Sequence, residues 1–535
     1  MAGRTCILWQ DDIWASHTPD ERVKSDVKEL AEIKLLAGQN TFAQTGFMLS
    51  NLSQKPLLGR LLAEDPSDGA PLSQGAKLLG RERIELRRAV YVEMTGGGMT
   101  PDALAELPTC GLVEAPARTT SLIWMKIDTH GLEPGQYERR MKFYPSYSGF
   151  KPSYFNISLE VAPVDLSKPY VKEFAYLNLG KGVLLPEVVE NLARYGVNQI
   201  EFIPGQLDAF PEFDAEGNIL SMNFDALDKS ITLFVAAGVP KERVGVVFYL
   251  IMSDPYYRSL PSKKSRLTYG TEAWKKGFAG WLKATRDHLF AKGYSYNDFC
   301  FYMVDEACGA PDDPNSTTHF ALEAVKHIKD VDPKLRVMNN PSMQGEEAKN
   351  LSVYLKTHDI LEPYRPFLQA KPEIIKELAQ SGREIWTYHI LSKDMAPAVY
   401  RNLLWQSARD GFSGCTSFWA YLDRTSDPFD PYDGRSYRPT MTADYAVIYE
   451  DVDAKKIMPS RRLEAWYQGQ QDYRAVALCR DLAAKLQAAG KDATGYQTLI
   501  RDAIAAAVDQ SNGEMDAARE KLIRAAAEMQ AELGK

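Results

Sequence analysis

The chain has 535 residues, which is more than one ordinary domain contains and predicts two or three domains. Hydrophobic residues make up 45% and charged residues 25% of it, a globular composition that excludes a mainly disordered chain. The net charge of -8 argues against a nucleic-acid partner, because phosphate binding needs a basic surface, and is compatible with a neutral sugar as ligand.

The first region, residues 1–166, is predicted to consist mainly of strands. Short apolar runs are separated by turn residues, and helical periodicity is rare. Residues 132–137 form a predicted turn that leads into a further strand. Strands at this spacing favour a β-sandwich, which we expect to be a supporting module. The other predicted strands are 33–36, 41–49, 88–94, 121–127 and 154–161.

The second region, residues 170–458, follows a short linker and alternates strands with helices. Eight strand–helix steps in about 290 residues predict a (β/α)8 barrel of the TIM type. A doubly wound open sheet is the alternative, but it usually carries a Gly-rich phosphate loop, and none occurs here. The predicted strands are 174–180, 197–203, 244–251, 298–304, 335–340, 357–361, 384–390 and one containing 417–421. The predicted helices are 184–195, 224–237, 273–292, 317–329, 371–381 and 396–410.

The third region, residues 459–535, is predicted to be a C-terminal helical segment. Apolar residues recur at helical spacing over 474–489 and 497–532. We expect these helices to pack on their own chain. No run of about 18 apolar residues occurs, so no membrane-spanning helix is expected.

Neither a metal site nor a cofactor is predicted. The six cysteines form no Cys-x-x-Cys pair, and the histidines form no cluster with metal-ligand spacing. The first residues contain no charged segment followed by an apolar stretch. The expected location is therefore the cytoplasm or, if an export signal has been removed, the periplasm or the exterior. The pattern does not indicate an oligomeric state.

The catalytic residues of such barrels lie at the C-terminal ends of the strands. Seven of the eight predicted strands of the second region end in polar or aromatic side chains, which predicts a substrate site at these ends. The acid pair described below makes a glycan or glycoconjugate the expected substrate. The residues at these ends are Asn178, Glu201, Tyr249, Asp305, Glu306, Asn339, Asn340, Trp386, Tyr388, His389, Trp419, Tyr421 and Asp423.

The most informative pair is Asp305-Glu306, directly after the apolar end of the fourth strand. A buried carboxylate needs a partner or stays protonated, so two acids are costly in a purely structural role. Two adjacent carboxyl groups resist double ionisation, so one can donate a proton while the other is negative. Glycosidic cleavage needs these two functions. The structural alternative is a solvated pair, or one acid that caps the next helix.

Consecutive acids do not easily lie on opposite sides of a sugar ring, as two-carboxylate hydrolases require. They fit substrate assistance better, in which the 2-acetamido oxygen of the sugar attacks the anomeric carbon. Glu306 would then be the general acid/base. Asp305 would orient the acetamido N–H, and Tyr388 would donate a hydrogen bond to the acetamido oxygen.

The strand-four acids, the preceding sandwich and the segment 459–473 together resemble glycoside hydrolase family 123. The late segment is similar to that family's P-S-x-R-L-E-x-x-x-x-G-x-x-D-Y stretch. The resemblance implies retaining β-N-acetylgalactosaminidase activity, with Asp305 orienting the acetamido group and Glu306 as acid/base. Gln471 and Arg474 stand where the family usually has acids, which indicates a distant branch and leaves the exact sugar open. We expect this segment to be structural.

Further residues are predicted to bind the substrate. The aromatic candidates for stacking on the sugar are Trp386, Trp419 and Tyr421, and the polar candidates are Asn178, Glu201, Asn339 and His389. Two alternatives remain open. One is a glycosidase for another sugar that pairs Glu306 with Glu201 or Asp423. The other is a carbohydrate-binding barrel without turnover.

Overall fold

The computed structural model describes two compact units. The first comprises Met1–Tyr170, Ser392–Arg409 and Thr425–Lys535, and the second comprises Val171–Leu391 and Asp410–Arg424. The C-terminal helices thus share a unit with the N-terminal strands, whereas the three predicted regions separate them. The boundaries of those regions stay predictions. The residues described are 5–21, 23, 26–64, 72–94, 97–146, 151–168, 171–177, 186–204, 209–252, 258–260, 266–341, 350–419, 421, 445–451, 456–509 and 514–534.

The N-terminal strands form two sheets around one core. Their orders are β1-β3-β9-β6-β7 and β2-β11-β10-β4-β8, with β5 beside β10. One cluster of buried side chains draws from both sheets, for example Phe47 and Ile123 from one and Phe143 and Ile157 from the other. Alternating burial along β10 explains this, because every second side chain of a strand points to the core. The strands are β1 Cys6–Trp9, β2 Glu32–Gln39, β3 Phe42–Asn51, β4 Leu57–Ala63, β5 Lys77–Leu78, β6 Ile84–Glu93, β7 Met99–Glu106, β8 Leu112–Ala115, β9 Thr120–Asp128, β10 Gly135–Pro145 and β11 Ser153–Asp165.

The second unit contains a parallel sheet of order β12-β15-β16-β17-β18-β19, and β20 pairs in parallel with β21. The alternation of strands and helices that the sequence predicts is confirmed, and the fold is of the mixed α/β class. The strands of this unit are short, with two to five residues each. They are β12 Gln199–Phe202, β13 Glu212–Phe213, β14 Ile219–Ser221, β15 Gly245–Tyr249, β16 Phe299–Tyr302, β17 Val337–Asn339, β18 Ile360–Leu361, β19 Glu384–Ile385, β20 Thr387–Ile390 and β21 Thr416–Trp419.

The first predicted strand, 174–180, forms no regular strand over its described residues, 174–177. Backbone hydrogen bonds of this segment and of Glu173, directly before it, nevertheless reach its neighbours. The Gln199 N–H donates to the Glu173 carbonyl at 3.1 Å, and the Tyr421 N–H donates to the Tyr176 carbonyl at 2.9 Å. The segment therefore lies beside β12 and beside the residues that follow β21.

Helices follow most strands of the second unit and also make up the C-terminal region. The helix predicted for 474–489 begins earlier, because Ser460 caps it by accepting a hydrogen bond from the Leu463 N–H. The stretch 497–532, for which helical structure is predicted, contains two helices. Among the described residues, no helix has the length and apolar character that crossing a membrane requires. The helices are α1 Pro186–Arg194, α2 Asp225–Ala236, α3 Glu272–Ala291, α4 Thr317–Val331, α5 Leu351–Thr357, α6 Arg365–Ala370, α7 Pro372–Gln380, α8 Pro397–Asp410, α9 Arg461–Ala488, α10 Thr494–Val508 and α11 Met515–Leu533.

The polar residues of segment 459–473 are buried inside the first unit. Glu464 accepts from Lys126 at 2.8 Å and from Gln44 at 2.6 Å, so it ties α9 to the first sheet. Gly469 provides the close approach of two helices, because a Cβ atom there would lie 2.8 Å from the Arg401 carbonyl oxygen. These contacts give the segment a structural role.

Asp472 of the same segment is the hub of a buried ion cluster. Its carboxylate accepts from Arg401 at 2.6 Å, from Trp405 at 2.9 Å and from Gln468 at 3.1 Å.

Because Asp472→Asn leaves the Arg401 charge without its main partner, we expect a loss of about 3–5 kcal/mol in the free energy of unfolding. Urea denaturation measures this. Asp481→Asn, on the exposed side of the same helix, is the control and should cost under about 0.5 kcal/mol; equal losses would contradict the prediction.

Candidate active site

Asp305 and Glu306 lie directly beyond the C-terminal end of β16. The backbone turns sharply there, because Glu306 adopts a left-handed conformation with φ of 44°. A non-glycine residue in this region is uncommon and is often found at functional sites. Asp305 is half-buried whereas Glu306 is exposed. The turn therefore gives two consecutive carboxyl groups different surroundings.

Asn340, at the end of the neighbouring strand β17, holds both acids. Its Oδ1 accepts from the Glu306 N–H at 2.8 Å, and its Nδ2 donates to Asp305 Oδ1 at 3.1 Å. One amide side chain thus fixes the backbone of one acid and the carboxylate of the other.

Tyrosine hydroxyls supply further donors to the two acids. Tyr302 donates to Asp305 Oδ1 at 2.7 Å, and Tyr388 donates to Glu306 Oε1 at 2.6 Å. Tyr249 is stacked on Tyr302 with ring centroids 4.5 Å apart, and the charge of Asp305 is among the causes that raise its pKa. Burial and the nearby carboxylates raise the pKa of all three phenols, so they stay protonated as donors. Asp305 therefore accepts from a phenol and from an amide.

Two further carboxyl groups lie near Asp305. Glu201 accepts from the Leu177 N–H at 3.0 Å, and Glu362 is completely buried. Burial raises the pKa of each to about 7, and the negative charge of Asp305 adds to the rise. The site therefore holds groups that can carry protons near neutral pH.

The raised pKa of Glu362 predicts a pH-dependent stability. Between pH 4.5 and 7 this carboxyl is ionised in the unfolded chain but protonated in the folded one. The folded state then binds more protons, so the free energy of unfolding falls as the pH rises through this window. Relative to Glu362→Gln, which cannot titrate, the wild-type protein should lose on the order of 2 kcal/mol between pH 5 and 7.5. Urea denaturation of both proteins across this range measures it, and a pH-independent difference would contradict it.

The structure buries three of the residues that were predicted to bind the substrate. Asn339 is completely buried and donates to the Val304 carbonyl at 3.2 Å. Trp386 is 1% exposed, lies in the interior cluster of the sheet and donates to Glu384 at 2.8 Å. Tyr421 is also 1% exposed, and its hydroxyl donates to Asn191 of α1 at 2.5 Å. These side chains pack in the interior, and their contact with the sugar stays a prediction.

Of the other residues predicted to bind the substrate, some are described by the structure and some are not. His389 is half-buried, its Nδ1 lies 3.0 Å from the Ile390 carbonyl oxygen, and burial lowers its pKa to about 4, so it is neutral. Tyr388 donates to Glu306, whereas the sequence predicts a contact with the acetamido oxygen. Asn178, Asp423 and the side chain of Trp419 lie outside the described residues.

Sequence reasoning missed Glu362, Tyr176 and Tyr302 as members of the site. Glu362 directly follows the two-residue strand β18, and the strand predicted for this region, 357–361, also ends directly before it. A usable signal was present, because an acid directly after an apolar strand end is also what marks Asp305. For the two tyrosines there was no such signal, since nothing local shows that their hydroxyls reach carboxylates.

One group of possible metal ligands occurs among the described residues, although no metal site was predicted. Ligand atoms of Asp11, His17 and Glu21 lie within 4.8 Å of one another. His17 Nδ1 lies 2.8 Å from Glu21 Oε2, and its Nε2 lies 2.7 Å from the Asp12 carbonyl oxygen. Both ring nitrogens are thus engaged within the protein, so the group fits a structural turn.

Residues 212–479, half of the chain, match the family described as glycoside hydrolase 123, catalytic domain. The chain belongs to glycoside hydrolase family 123. As a family 123 enzyme it hydrolyses glycosidic bonds, so the alternative of a binding protein without turnover is set aside. The matched range contains both strand-four acids, Asn340, Glu362 and Tyr388.

Solved structures were compared with this chain for likeness of fold. A family 123 glycoside hydrolase from Clostridium perfringens, described for glycolipid glycan hydrolysis, is similar in fold with a TM-score of 0.69, 12% identity and 99% of each chain covered. A GH5 xyloglucanase from Bacteroides ovatus has a TM-score of 0.34, 8% identity, and coverage of 82% of this chain and 98% of that chain. The latter likeness is too weak to carry an inference. No curated protein matches this family 123 enzyme.

Proposed function

We propose that this enzyme is a retaining exo-β-N-acetylgalactosaminidase, a β-N-acetylhexosaminidase that uses the 2-acetamido group of its substrate as nucleophile. The observation that carries the proposal is the different surroundings of two consecutive acids. Asp305 is held by Tyr302 and Asn340, whereas Glu306 is exposed and accepts from Tyr388. One acid is thus fixed as an acceptor, and the other is accessible for proton transfer.

The reaction follows from these positions. Glu306 protonates the glycosidic oxygen, and the C1–O bond breaks while the acetamido oxygen forms a bond to C1. Asp305 accepts a hydrogen bond from the acetamido N–H and stabilises the positive oxazolinium ring. Glu306 then removes a proton from water, which attacks C1 and reopens the ring. Two displacements at C1 retain its configuration.

Tyr388 is assigned to the acetamido pocket in this proposal. Its hydroxyl donates to Glu306 Oε1 at 2.6 Å, so it is within reach of atoms near the acid. With substrate bound, the single O–H of this phenol would turn from Glu306 to the acetamido oxygen and orient that oxygen towards C1. Glu201, which retains partial exposure, is assigned to sugar hydroxyl groups.

We also propose that the parallel strands close into a (β/α)8 barrel. Support comes from the interior cluster, to which side chains of the first segment and of several strands contribute, among them Phe174, Cys300, Met338 and Cys415. The hydrogen bond from Tyr421 to Tyr176 links the last strand region to the first. A closed barrel would gather all strand ends around one mouth.

Glycolipid glycans are the proposed natural substrate class, because the similar Clostridium perfringens enzyme is described for them. A terminal β-linked N-acetylgalactosamine residue would be the group removed. Vesicles or micelles that contain a glycolipid with this terminal sugar, compared with the free glycan, test the assignment. Release from neither would contradict it.

The second candidate is a two-carboxylate glycosidase for another sugar. Glu201 favours it, because this acid lies on β12, the first strand of the parallel sheet, and is partly exposed, and burial raises its pKa to about 7. Paired aryl glycosides with and without a 2-acetamido group decide between the candidates. Substrate assistance predicts turnover of the 2-acetamido sugars alone and tight binding of a thiazoline mimic of the cyclised sugar. Hydrolysis of 2-hydroxyl sugars without thiazoline inhibition would favour the second candidate.

A further inference from the structure

Glu362 is a buried carboxyl group that the proposed reaction does not use. It is 0% exposed, and both of its oxygens are engaged. Tyr176 donates to Oε2 at 2.6 Å, and Ser417 donates to Oε1 at 2.5 Å. Burying a carboxyl group is costly even when it is hydrogen-bonded, and an apolar residue of similar size would fill the space at lower cost. A function therefore has to account for its presence.

The ring of Tyr176 connects Glu362 to the two acids. It lies edge-on to Tyr302, with centroids 6.4 Å apart and an interplanar angle of 60°, and to Tyr388, at 6.4 Å and 74°. These are the two phenols whose hydroxyls donate to Asp305 and Glu306. Tyr176 is thus the shared neighbour of both donors.

We propose that Glu362 is a positioning residue for both catalytic acids and acts through Tyr176. The inference rests on the proposed roles of Asp305 and Glu306. By holding the Tyr176 hydroxyl, Glu362 fixes the ring against which Tyr302 and Tyr388 pack. Their hydroxyls then point at one oxygen of each acid. Displacement of reacting groups by about 1 Å can lower the rate by roughly 100-fold, so such support has a large effect.

Four single variants and one double variant test the proposal. Tyr176→Phe keeps the ring and removes the bond to Glu362, and Glu362→Leu removes the carboxyl group; the double variant combines these two changes. Glu362→Gln retains an acceptor and is the conservative rescue. Ser417→Ala is the matched control, because it removes a hydrogen bond to the same carboxyl without touching Tyr176. kcat and KM are measured with whichever aryl glycoside the wild-type enzyme hydrolyses fastest, and melting temperatures are recorded for all proteins.

We expect Tyr176→Phe and Glu362→Leu each to lower kcat at least tenfold, with KM within about twofold of wild type. Glu362→Gln should recover most of the kcat lost in Glu362→Leu, and Ser417→Ala should lose at least threefold less than Tyr176→Phe. Because both residues act through one bond, the double variant should be no slower than the slower single variant. A purely structural role would lower melting temperatures while the folded fraction keeps its kcat.

Multiplicative losses in the double variant, or wild-type kcat in folded Tyr176→Phe, overturn the proposal. Its failure differs from failure of the proposed function, because the substrate is chosen by turnover and not by its acetamido group. A wrong sugar assignment would be revealed by the comparison of aryl glycosides with and without the acetamido group. A wrong acid assignment would be revealed by normal turnover of poor leaving groups by Glu306→Gln. A wrong positioning assignment appears only in the variants of Glu362 and Tyr176.

Discussion

Replacing Glu306 by glutamine is expected to lower kcat by roughly 10³-fold for substrates with poor leaving groups. Glutamine keeps the shape and can still accept from Tyr388 at Oε1, but it cannot protonate the glycosidic oxygen. Activated leaving groups such as dinitrophenol need no proton, so their first step should be slowed far less. Added azide, which attacks C1 without needing a base, should restore turnover of those substrates.

The control for this variant is Glu272→Gln, whose side chain is 90% exposed in the first turn of α3. It should keep kcat within about twofold of wild type, and both variants should unfold at the same urea concentration as wild type. Normal turnover of poor leaving groups by folded Glu306→Gln would remove the acid/base role.

Replacing Asp305 by asparagine should lower kcat/KM for 2-acetamido substrates by about 10²–10³-fold. Asp305 Oδ1 accepts from Tyr302 at 2.7 Å and from Asn340 at 3.1 Å, so the variant keeps its amide oxygen on these donors and turns its amide nitrogen towards the substrate. That nitrogen would meet the acetamido N–H as a second donor, and the negative charge opposite the oxazolinium ring would be lost. Thiazoline binding, measured by calorimetry, should weaken by a similar factor.

Asp312→Asn, at an exposed position shortly after the pair, is the matched control and should leave kcat/KM within about twofold. The leaving-group dependence separates the two acids. Loss at position 305 should affect good and poor leaving groups alike, whereas loss at 306 should be selective for poor ones. Full thiazoline affinity in folded Asp305→Asn would contradict its orienting role and favour the two-carboxylate candidate.

Several features of the fold could be predicted because their signals are local. Apolar runs of the N-terminal region became strands such as β3 and β9, and the alternation of the second unit is confirmed from α1 to β21. The pair at 305–306 was predicted because two acids after an apolar strand end are chemically costly. The family resemblance, based on this pair and segment 459–473, is confirmed by the match over 212–479.

The contacts inside that late segment could not be predicted in detail. Glu464 bonds to Lys126 and Gln44, which are more than three hundred residues away in the sequence. The pattern indicated a structural role but named no partners. Long-range partners are decided by sheet and helix packing, which no local spacing encodes.

By itself, the sequence determined the order of strands and helices, the family, and the two acids at the end of β16, because periodicity and strand ends are local properties. The tertiary structure decided which neighbouring side chain faces the acids. Asn340, and not Asn339, hydrogen-bonds to Asp305, and Trp386 and Tyr421 are buried. Glu362 accepts a hydrogen bond from Tyr176. In a strand of two to five residues, the alternation of apolar and polar residues is too short to show which side chains point into the site. The hydrogen bonds named above join residues that are distant in the sequence and meet only when the chain packs.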